Sequence, residues 1–312
     1  MTAMTLPLPL RLGTRGSPLA RRQAELAAVA LRAASPDLHA EGAIETLVIR
    51  TTGDRVRDRP LAEIGGKGLF CKELEAALLD GRIDLAVHSV KDLPTWLPEG
   101  LILAAVLPRD DPRDALIAGS CTSIAALPPQ ARVGSASLRR RAQLLARRPD
   151  LEIGLLRGNV ETRLAKVRDG EIDATLLSLA GLLRLGLDNA ASAVLEPEEL
   201  LPAVGQGAIG LQCREADGPL RALLAMVDHG PSSVCISAER AMLDALDGSC
   251  HTPIAGLATL AGGTLHLRGL VARADGSRCL DTTRSGSPAS AAALGRDAGL
   301  ELRARAGPGF FD

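Results

Sequence analysis

The stretch LEAALLDGRIDLAVHS (74–89) is echoed in form by RLAKVRDGEIDATLLS (163–178). Each opens with a run of helical period that stops at Asp-Gly, passes through a charged residue and Ile-Asp, and closes on a short apolar stretch. Glycine stops a helix, and a short apolar run after it reads as a buried strand. A second echo pairs Leu12–Leu19 with Val133–Arg140, each a strand, a turn and a Ser-started helix. Together the echoes predict two lobes of one architecture, each presenting a loop and a helix N-terminus to a shared cleft, where open α/β sheets hold their ligands.

Working outward, Leu10–Thr14 reads as a strand, and Ser17-Pro18 supplies an N-cap and first-turn proline for a helix to about Ser35. A strand at Ile44–Thr51, a loop with Gly65-Gly66-Lys67-Gly68, a helix at Leu69–Asp80 and a strand at Ile83–His88 follow. Alternating strand and helix predicts an α/β fold with a mostly parallel sheet. After Leu201 the texture changes. A strand at Ala208–Cys213, a helix at Ser232–Leu246 ended by Gly248, a hairpin over 254–273 around Gly262-Gly263 and a helix over 287–305 predict a smaller α+β domain. The expected boundaries are 5–107 with 205–225 for the first lobe, 108–204 for the second and 226–312 for the C-terminal domain.

The chain has 312 residues, 46% hydrophobic, with 36 basic against 37 acidic side chains and a net charge of −1. Lys occurs only at 67, 72, 91 and 166, so 32 of the basic residues are Arg. A GC-rich genome would write Arg for Lys in this way, so only position can give the arginines meaning. Three Phe, one Trp and no Tyr leave little for stacking nucleic-acid bases, and the near-neutral charge disfavours a duplex binder. No apolar run reaches the roughly 18 residues of a membrane span, and the N-terminus does not read as a secretion signal. Six scattered Cys without CxxC or Cys/His spacing predict neither disulfides nor a metal site, and a cytoplasmic protein.

Three constellations carry chemistry. His88-Ser89-Val90-Lys91-Asp92-Leu93-Pro94 lies at the C-terminal end of a buried strand, where α/β sheets collect ligand groups; a solvated Lys–Asp turn is the other reading. Gly134-Ser135-Ala136-Ser137-Leu138-Arg139-Arg140-Arg141 is a strand-to-helix turn whose hydroxyls and amides favour an anion. Its arginines oppose the helix dipole unless an anion answers them. Thr14-Arg15-Gly16-Ser17 repeats that chemistry, and Arg157, Arg163 and Arg184 follow later strands of the second lobe. Singly, each reads as a solvated surface arginine. Gathered at turns of a nearly neutral protein, they point to a small polyanion. Third, Gly248-Ser249-Cys250-His251-Thr252-Pro253 sets a cysteine in a turn open to covalent chemistry, whereas Cys71, Cys213 and Cys235 sit in apolar patterns.

These residues, with GGKGLF, RGNVETRL, AGLLRLGL, LPAVGQGA and AERAMLDALDGSCHTP in this order, resemble the porphobilinogen deaminase (hydroxymethylbilane synthase) family from about Leu10 onward. The resemblance implies two lobes like those of periplasmic binding proteins plus a smaller C-terminal domain. It implies a monomeric transferase of tetrapyrrole biosynthesis that condenses four porphobilinogen molecules into hydroxymethylbilane with release of ammonia. The implied cofactor is a dipyrromethane primer held by a thioether to Cys250, with Asp92 as the catalytic carboxylate. By the same resemblance, Lys91, Asp92, Ser135, Ser137, Arg139 and Arg140 hold the primer. Arg15, Ser17, Lys67, Phe70, Ser89, Arg157, Arg163, Arg184 and Gln206 meet substrate or chain. Ala136, Ser249 and Glu63 depart from the family pattern, which bears on rate and loop closure. The competing reading is a non-catalytic binding protein for a small polycarboxylate on the same two lobes.

Overall fold

The computed structural model describes residues 6–55, 68–248 and 252–311; Lys67 and Cys250 lie outside them. Its elements begin with β1 (Leu10–Thr14), α1 (Pro18–Ala34), β2 (Ile44–Val48), α2 (Thr52–Arg55), α3 (Lys72–Leu79), β3 (Leu85–Ser89) and β4 (Leu101–Val106). Next come β5 (Asp114–Ile117), β6 (Arg132–Gly134), α4 (Leu138–Arg147), β7 (Glu152–Gly154), α5 (Val160–Arg168), β8 (Ala174–Ser178), α6 (Leu179–Leu185) and β9 (Ala193–Leu195). The chain closes with β10 (Ile209–Arg214), α7 (Gly218–Val227), α8 (Gly230–Ala245), β11 (Ile254–Ala261), β12 (Thr264–Ala272), β13 (Cys279–Gly286) and α9 (Ala291–Ala306). They form two compact units, the chain changing unit after Arg109, Gly207 and Ser233.

The first unit holds a five-stranded sheet in the order β2-β1-β3-β10-β4. β1, β2 and β3 are parallel, and β10 runs against both its neighbours. Helix α1 packs on it because its small residues recur at helical spacing: Ala24, Ala27, Ala28 and Leu31 are buried with Leu10, Leu12, Leu85 and Leu211. The Ser17 hydroxyl caps the helix by accepting the Ala20 amide at 3.2 Å, ahead of Pro18 at the first position.

The second unit holds a five-stranded sheet in the order β7-β6-β8-β5-β9, with β5 antiparallel to both neighbours. Strand for strand this is the topology of the first sheet, with β6, β7, β8, β5 and β9 in the places of β1, β2, β3, β10 and β4. A separate antiparallel meander, β11-β12-β13, packs with α8 and α9 around Met242, Leu265, Val271 and Leu302.

The echoed sequences build matching joints. In the first sheet the Asp84 amide donates to the Arg11 carbonyl, and Arg11 returns its own amide, Nε and Nη2 to the Asp84 carboxylate at 2.7–3.0 Å. In the second, Asp173 and Arg132 make the same set of bonds at 2.7–3.2 Å. The neighbouring glycines match as well. A Cβ on Gly13 would lie 2.4 Å from Ile83, and one on Gly134 2.7 Å from Ile172, so the Ile of each Ile-Asp pair occupies the space a side chain would need.

Several boundaries shift from the sequence expectation by one to four residues, and three departures have a visible local cause. β2 stops at Val48 rather than Thr51 because its neighbour β1 ends opposite, at Thr14. The helix expected from Leu69 starts at Lys72, since the Cys71 and Lys72 amides both turn back to the Gly68 carbonyl. β13 was not expected: in CLDTTRSG only Thr282 is buried, so the edge strand carries no apolar alternation.

Asp84 is 2% exposed, against 38% for Asp173. Burial alone would raise the Asp84 pKa, but the bonds from Arg11 and Arg214 outweigh it and hold the carboxyl below its ordinary 3.8. Asp84→Asn should therefore cost about 3 kcal/mol and Asp173→Asn less than about 1 kcal/mol in urea denaturation at neutral pH. Equal losses would contradict burial as the deciding factor. Because the folded-state pKa is depressed, the Asp84 contribution is complete above pH 3.8 and lost as pH falls through the folded value.

Candidate active site

In the first unit the chain leaves β3 at Ser89 and makes one 3-10 turn, Val90–Asp92. The Val90 amide donates to the Ala208 carbonyl at 3.0 Å, and the Cys71 thiol to the Asp92 carbonyl at 3.3 Å. The Asp92 carboxylate is 31% exposed, with Arg15 Nη1 3.6 Å from Oδ2, an ion pair longer than a hydrogen bond. The Arg15 guanidinium also lies over the Phe70 ring, 4.1 Å from its centroid. Three of the expected residues, Arg15, Phe70 and Asp92, thus meet.

Both faces of this strand end are anchored. On one, Ser89 and Gln23 of α1 exchange hydrogen bonds at 2.8 and 3.1 Å. On the other, His88 Nε2 meets Gln212 Oε1 at 2.9 Å, and Gln212 Nε2 donates to Glu75 Oε1 at 3.4 Å. Burial pushes the Glu75 carboxyl up, opposed by the Gln212 bond and by Lys72. Cys213, beside this pair on β10, is buried and its thiol is pushed up to about 11 by that burial.

In the second unit the expected Arg139, Arg140 and Gln206 converge on a residue the sequence reading did not single out, Asp114 at the start of β5. Arg139 Nη2 donates to its Oδ2 at 2.8 Å; Arg140 Nε and Nη2 donate to Oδ1 at 3.2 and 2.6 Å. Gln206 Nε2 adds a third partner to Oδ1 at 3.0 Å. Asp114 is fully buried, and the two arginine side chains are 5% and 8% exposed. Burial lowers the Arg139 pKa against the pull of Asp114. One carboxylate faces two guanidiniums here, and Arg139 Nε is buried with no partner among the described residues. Ser135 and Ser137 stand half-exposed at the N-terminus of α4, where the Ser137 hydroxyl accepts the Arg140 amide at 3.4 Å. A surplus of positive charge beside hydroxyls and a helix N-terminus suits a ligand bearing carboxylates.

The remaining expected residues divide. Arg184 turns inward, donating from Nε to Asp110 at 2.8 Å and from Nη2 to the Gly207 carbonyl at 2.6 Å. Its side chain is 6% exposed, and burial lowers its pKa against Asp110. Arg163 Nε donates to the Gly158 carbonyl at 3.0 Å, and Ser17 caps α1. Arg157 and Lys91 are half-buried in the loops after β7 and β3. Asp114 had one visible signal, a lone carboxylate opening the apolar run DALIA; Gln23, Glu75 and Gln212 had none, because nothing local marks a buried polar pair formed across the sheet.

Two family profiles match the chain: "Porphobilinogen deaminase, dipyromethane cofactor binding domain" over residues 10–222 and "Porphobilinogen deaminase, C-terminal domain" over 233–304. The porphobilinogen deaminase of Paracoccus denitrificans is 53% identical over 313 residues, covering 100% of this chain and 99% of its own. The chloroplastic porphobilinogen deaminase of Oryza sativa subsp. japonica is 51% identical over 306 residues, covering 97% and 86%. Among solved structures, a methionine binding protein is similar over 70% of this chain and 89% of its own, at 13% identity and a TM-score of 0.43. The periplasmic aliphatic sulphonate binding protein of Escherichia coli is similar over 78% and 71%, at 14% identity and a TM-score of 0.42.

The Asp114 cluster makes a sharp demand. Asp114→Asn keeps the shape but strands two buried guanidiniums, and it should cost about 3–5 kcal/mol in urea denaturation. A variant as stable as the parent would mean that solvent, not Asp114, balances those charges.

Proposed function

The chain belongs to the porphobilinogen deaminase family and condenses four porphobilinogen molecules into hydroxymethylbilane with release of ammonia; from that premise we propose how its residues divide the work. Each condensation breaks the substrate's aminomethyl C–N bond, releases ammonia and leaves a cation spread over the pyrrole. The α-carbon of the chain end then forms the new C–C bond and gives up its proton. Asp92 is the group we assign to that cation and proton. A carboxylate beside the pyrrole N–H stabilises the positive charge and accepts the proton, so one Asp serves every round. The observation that carries this assignment is its setting: a partly exposed carboxylate on a rigid turn, with Arg15 3.6 Å away as the one ion pair described for it.

The family's cofactor is a dipyrromethane, which when bound supplies the free α-carbon on which the chain starts. Each of its pyrroles carries an acetate and a propionate, and the second unit fits such a polycarboxylate. The buried, unpartnered Nε of Arg139 and the excess charge around Asp114 are the features behind that fit. We assign Arg139, Arg140, Ser135, Ser137 and Lys91 to the primer, and Cys250 to its thioether. Arg15, Lys67, Phe70, Arg157 and Arg163 we assign to substrate and chain. Arg184, Gln206 and Ser89, whose polar atoms already bond within the protein, belong on this reading to the frame that aims the others.

We read three domains, two lobes and the meander-bearing C-terminal part, in a cytoplasmic monomer that acts on a small molecule and engages neither nucleic acid nor membrane. The even charge balance and the scarcity of aromatic rings support the first exclusion. Among the described residues, no helix is long and apolar enough to cross a membrane.

Protein from cells that make porphobilinogen should carry a mass increment equal to one dipyrromethane, lost in Cys250→Ala. An unmodified parent mass overturns the attachment site. Asp92→Asn should keep fold and increment while ammonia release falls by at least about 100-fold. Parent-like turnover from that variant would remove Asp92 from the chemistry.

A further inference from the structure

Asp92 is only as well aimed as the strand end that carries it, and that end is held by a buried chain of polar groups. Glu75 lies on the inward face of α3 and is 4% exposed; Gln212 on β10 is fully buried, and His88 on β3 is 4% exposed. Gln212 bridges the other two, donating to Glu75 at 3.4 Å and meeting His88 Nε2 at 2.9 Å. The chemistry of a carboxylate gives the chain its direction. Glu75 Oε1 accepts, so Gln212 turns its amide N–H group toward α3 and its carbonyl oxygen toward β3. His88 must then donate from Nε2, so one carboxylate on α3 sets both the amide orientation and the imidazole tautomer.

The same helix reaches the turn a second time. Cys71, one turn before Glu75 and joined to it by the helical bond from the Glu75 amide to the Cys71 carbonyl, donates its thiol to the Asp92 carbonyl. The opposite face of the strand end is secured by Ser89 and Gln23. With both faces held, the direction in which residues 90–92 leave the sheet is set.

We propose that Glu75 is a positioning residue for Asp92, acting through Gln212 and His88. It rests on the reading of Asp92 as the catalytic carboxylate. Removing one link leaves the other buried polar groups to find new partners, and a small displacement of a reacting group costs rate without costing affinity.

The test uses the primer-loaded enzyme and four variants: Glu75→Leu, Gln212→Met, the two combined, and Glu75→Gln, which keeps an oxygen acceptor. Each single break should lower kcat about 10-fold, with KM within about twofold and the dipyrromethane mass increment retained. The double variant should be no slower than the worse single, because both cut one chain. Glu75→Gln should recover kcat to within about threefold of the parent. Parent-like kcat in both single breaks overturns the proposal, as do losses that multiply in the double variant. So does a fall in KM performance and primer occupancy that tracks the fall in kcat, since that describes general destabilisation. Should Glu75→Leu fail to fold, Gln212→Met set against Glu75→Gln decides: slow against parent-like supports the chain, and equal rates overturn it. Asp92→Asn in the same assay separates the two readings. An active Asp92→Asn overturns the role of Asp92 itself, whereas an inactive one beside parent-like Glu75 and Gln212 variants overturns only the positioning chain.

Discussion

A single buried carboxylate, Asp114, organises the second unit. Taking a carboxylate out of water costs several kcal/mol, and it is tolerated where charged donors take the place of water. Asp114 has two guanidiniums and an amide within 2.6–3.2 Å. Those donors come from the N-terminus of α4 and from the turn at 205–207, so the carboxylate ties two separate parts of the chain to the first residue of β5. Two cations in the first turn of a helix are electrostatically costly. Here an internal anion answers part of that cost, and the part left unanswered is what a carboxylate ligand can use.

The first unit solves a comparable problem with different parts. Arg11–Asp84 and Arg132–Asp173 occupy equivalent joints between the first and third strands of the two sheets, yet one is buried and the other is largely solvated. Same residues and same bonds therefore carry different energy, because the worth of an ion pair is set by the water around it. Arg214 makes the difference in the first unit. It reaches Asp84 from β10 at 3.1 Å and also caps the Leu78 and Ile83 carbonyls, which closes the joint from the side that stays open in the second. The two sheets share a backbone path, and the residue that the neighbouring strand brings to each joint decides how dry it is.

That contrast explains which parts of the molecule could be read from the chain. β1, α1 and its Ser17 cap, the hairpin at Gly262-Gly263 and the two-lobe echo were legible because each rests on neighbours in sequence: a cap, a glycine, a run of fixed period. The Arg–Asp staples lie inside the echoed segments but join residues 73 and 41 positions apart, so the echo was visible and its purpose was not. Asp114, Arg184 with Asp110, and Glu75 with Gln212 and His88 are long-range polar pairings. No period or motif announces them, since a buried polar residue looks the same in sequence whether its partner lies on the next turn or across a sheet. Lys67 and Cys250, read from motifs, lie outside the described residues.

The dominance of arginine over lysine now has a physical meaning at a few positions. A lysine offers one rotatable nitrogen, so a bond to the protein redirects everything it has. A guanidinium is a rigid fork whose edges can serve different partners. Arg140 gives Nε and Nη2 to one oxygen of Asp114 and keeps Nη1 outside that contact; Arg139 divides Nη1 and Nη2 between the Leu201 carbonyl and Asp114, leaving Nε. Holding one edge aims the other, so the ordering cost is met in folding rather than in binding. Arg184 differs in its anion rather than in its donors: it has Asp110 to itself, whereas Arg139 and Arg140 share Asp114. What separates a gripping arginine from a structural one is therefore the charge its own carboxylate partner leaves unanswered, since all three have two nitrogens bonded within the fold.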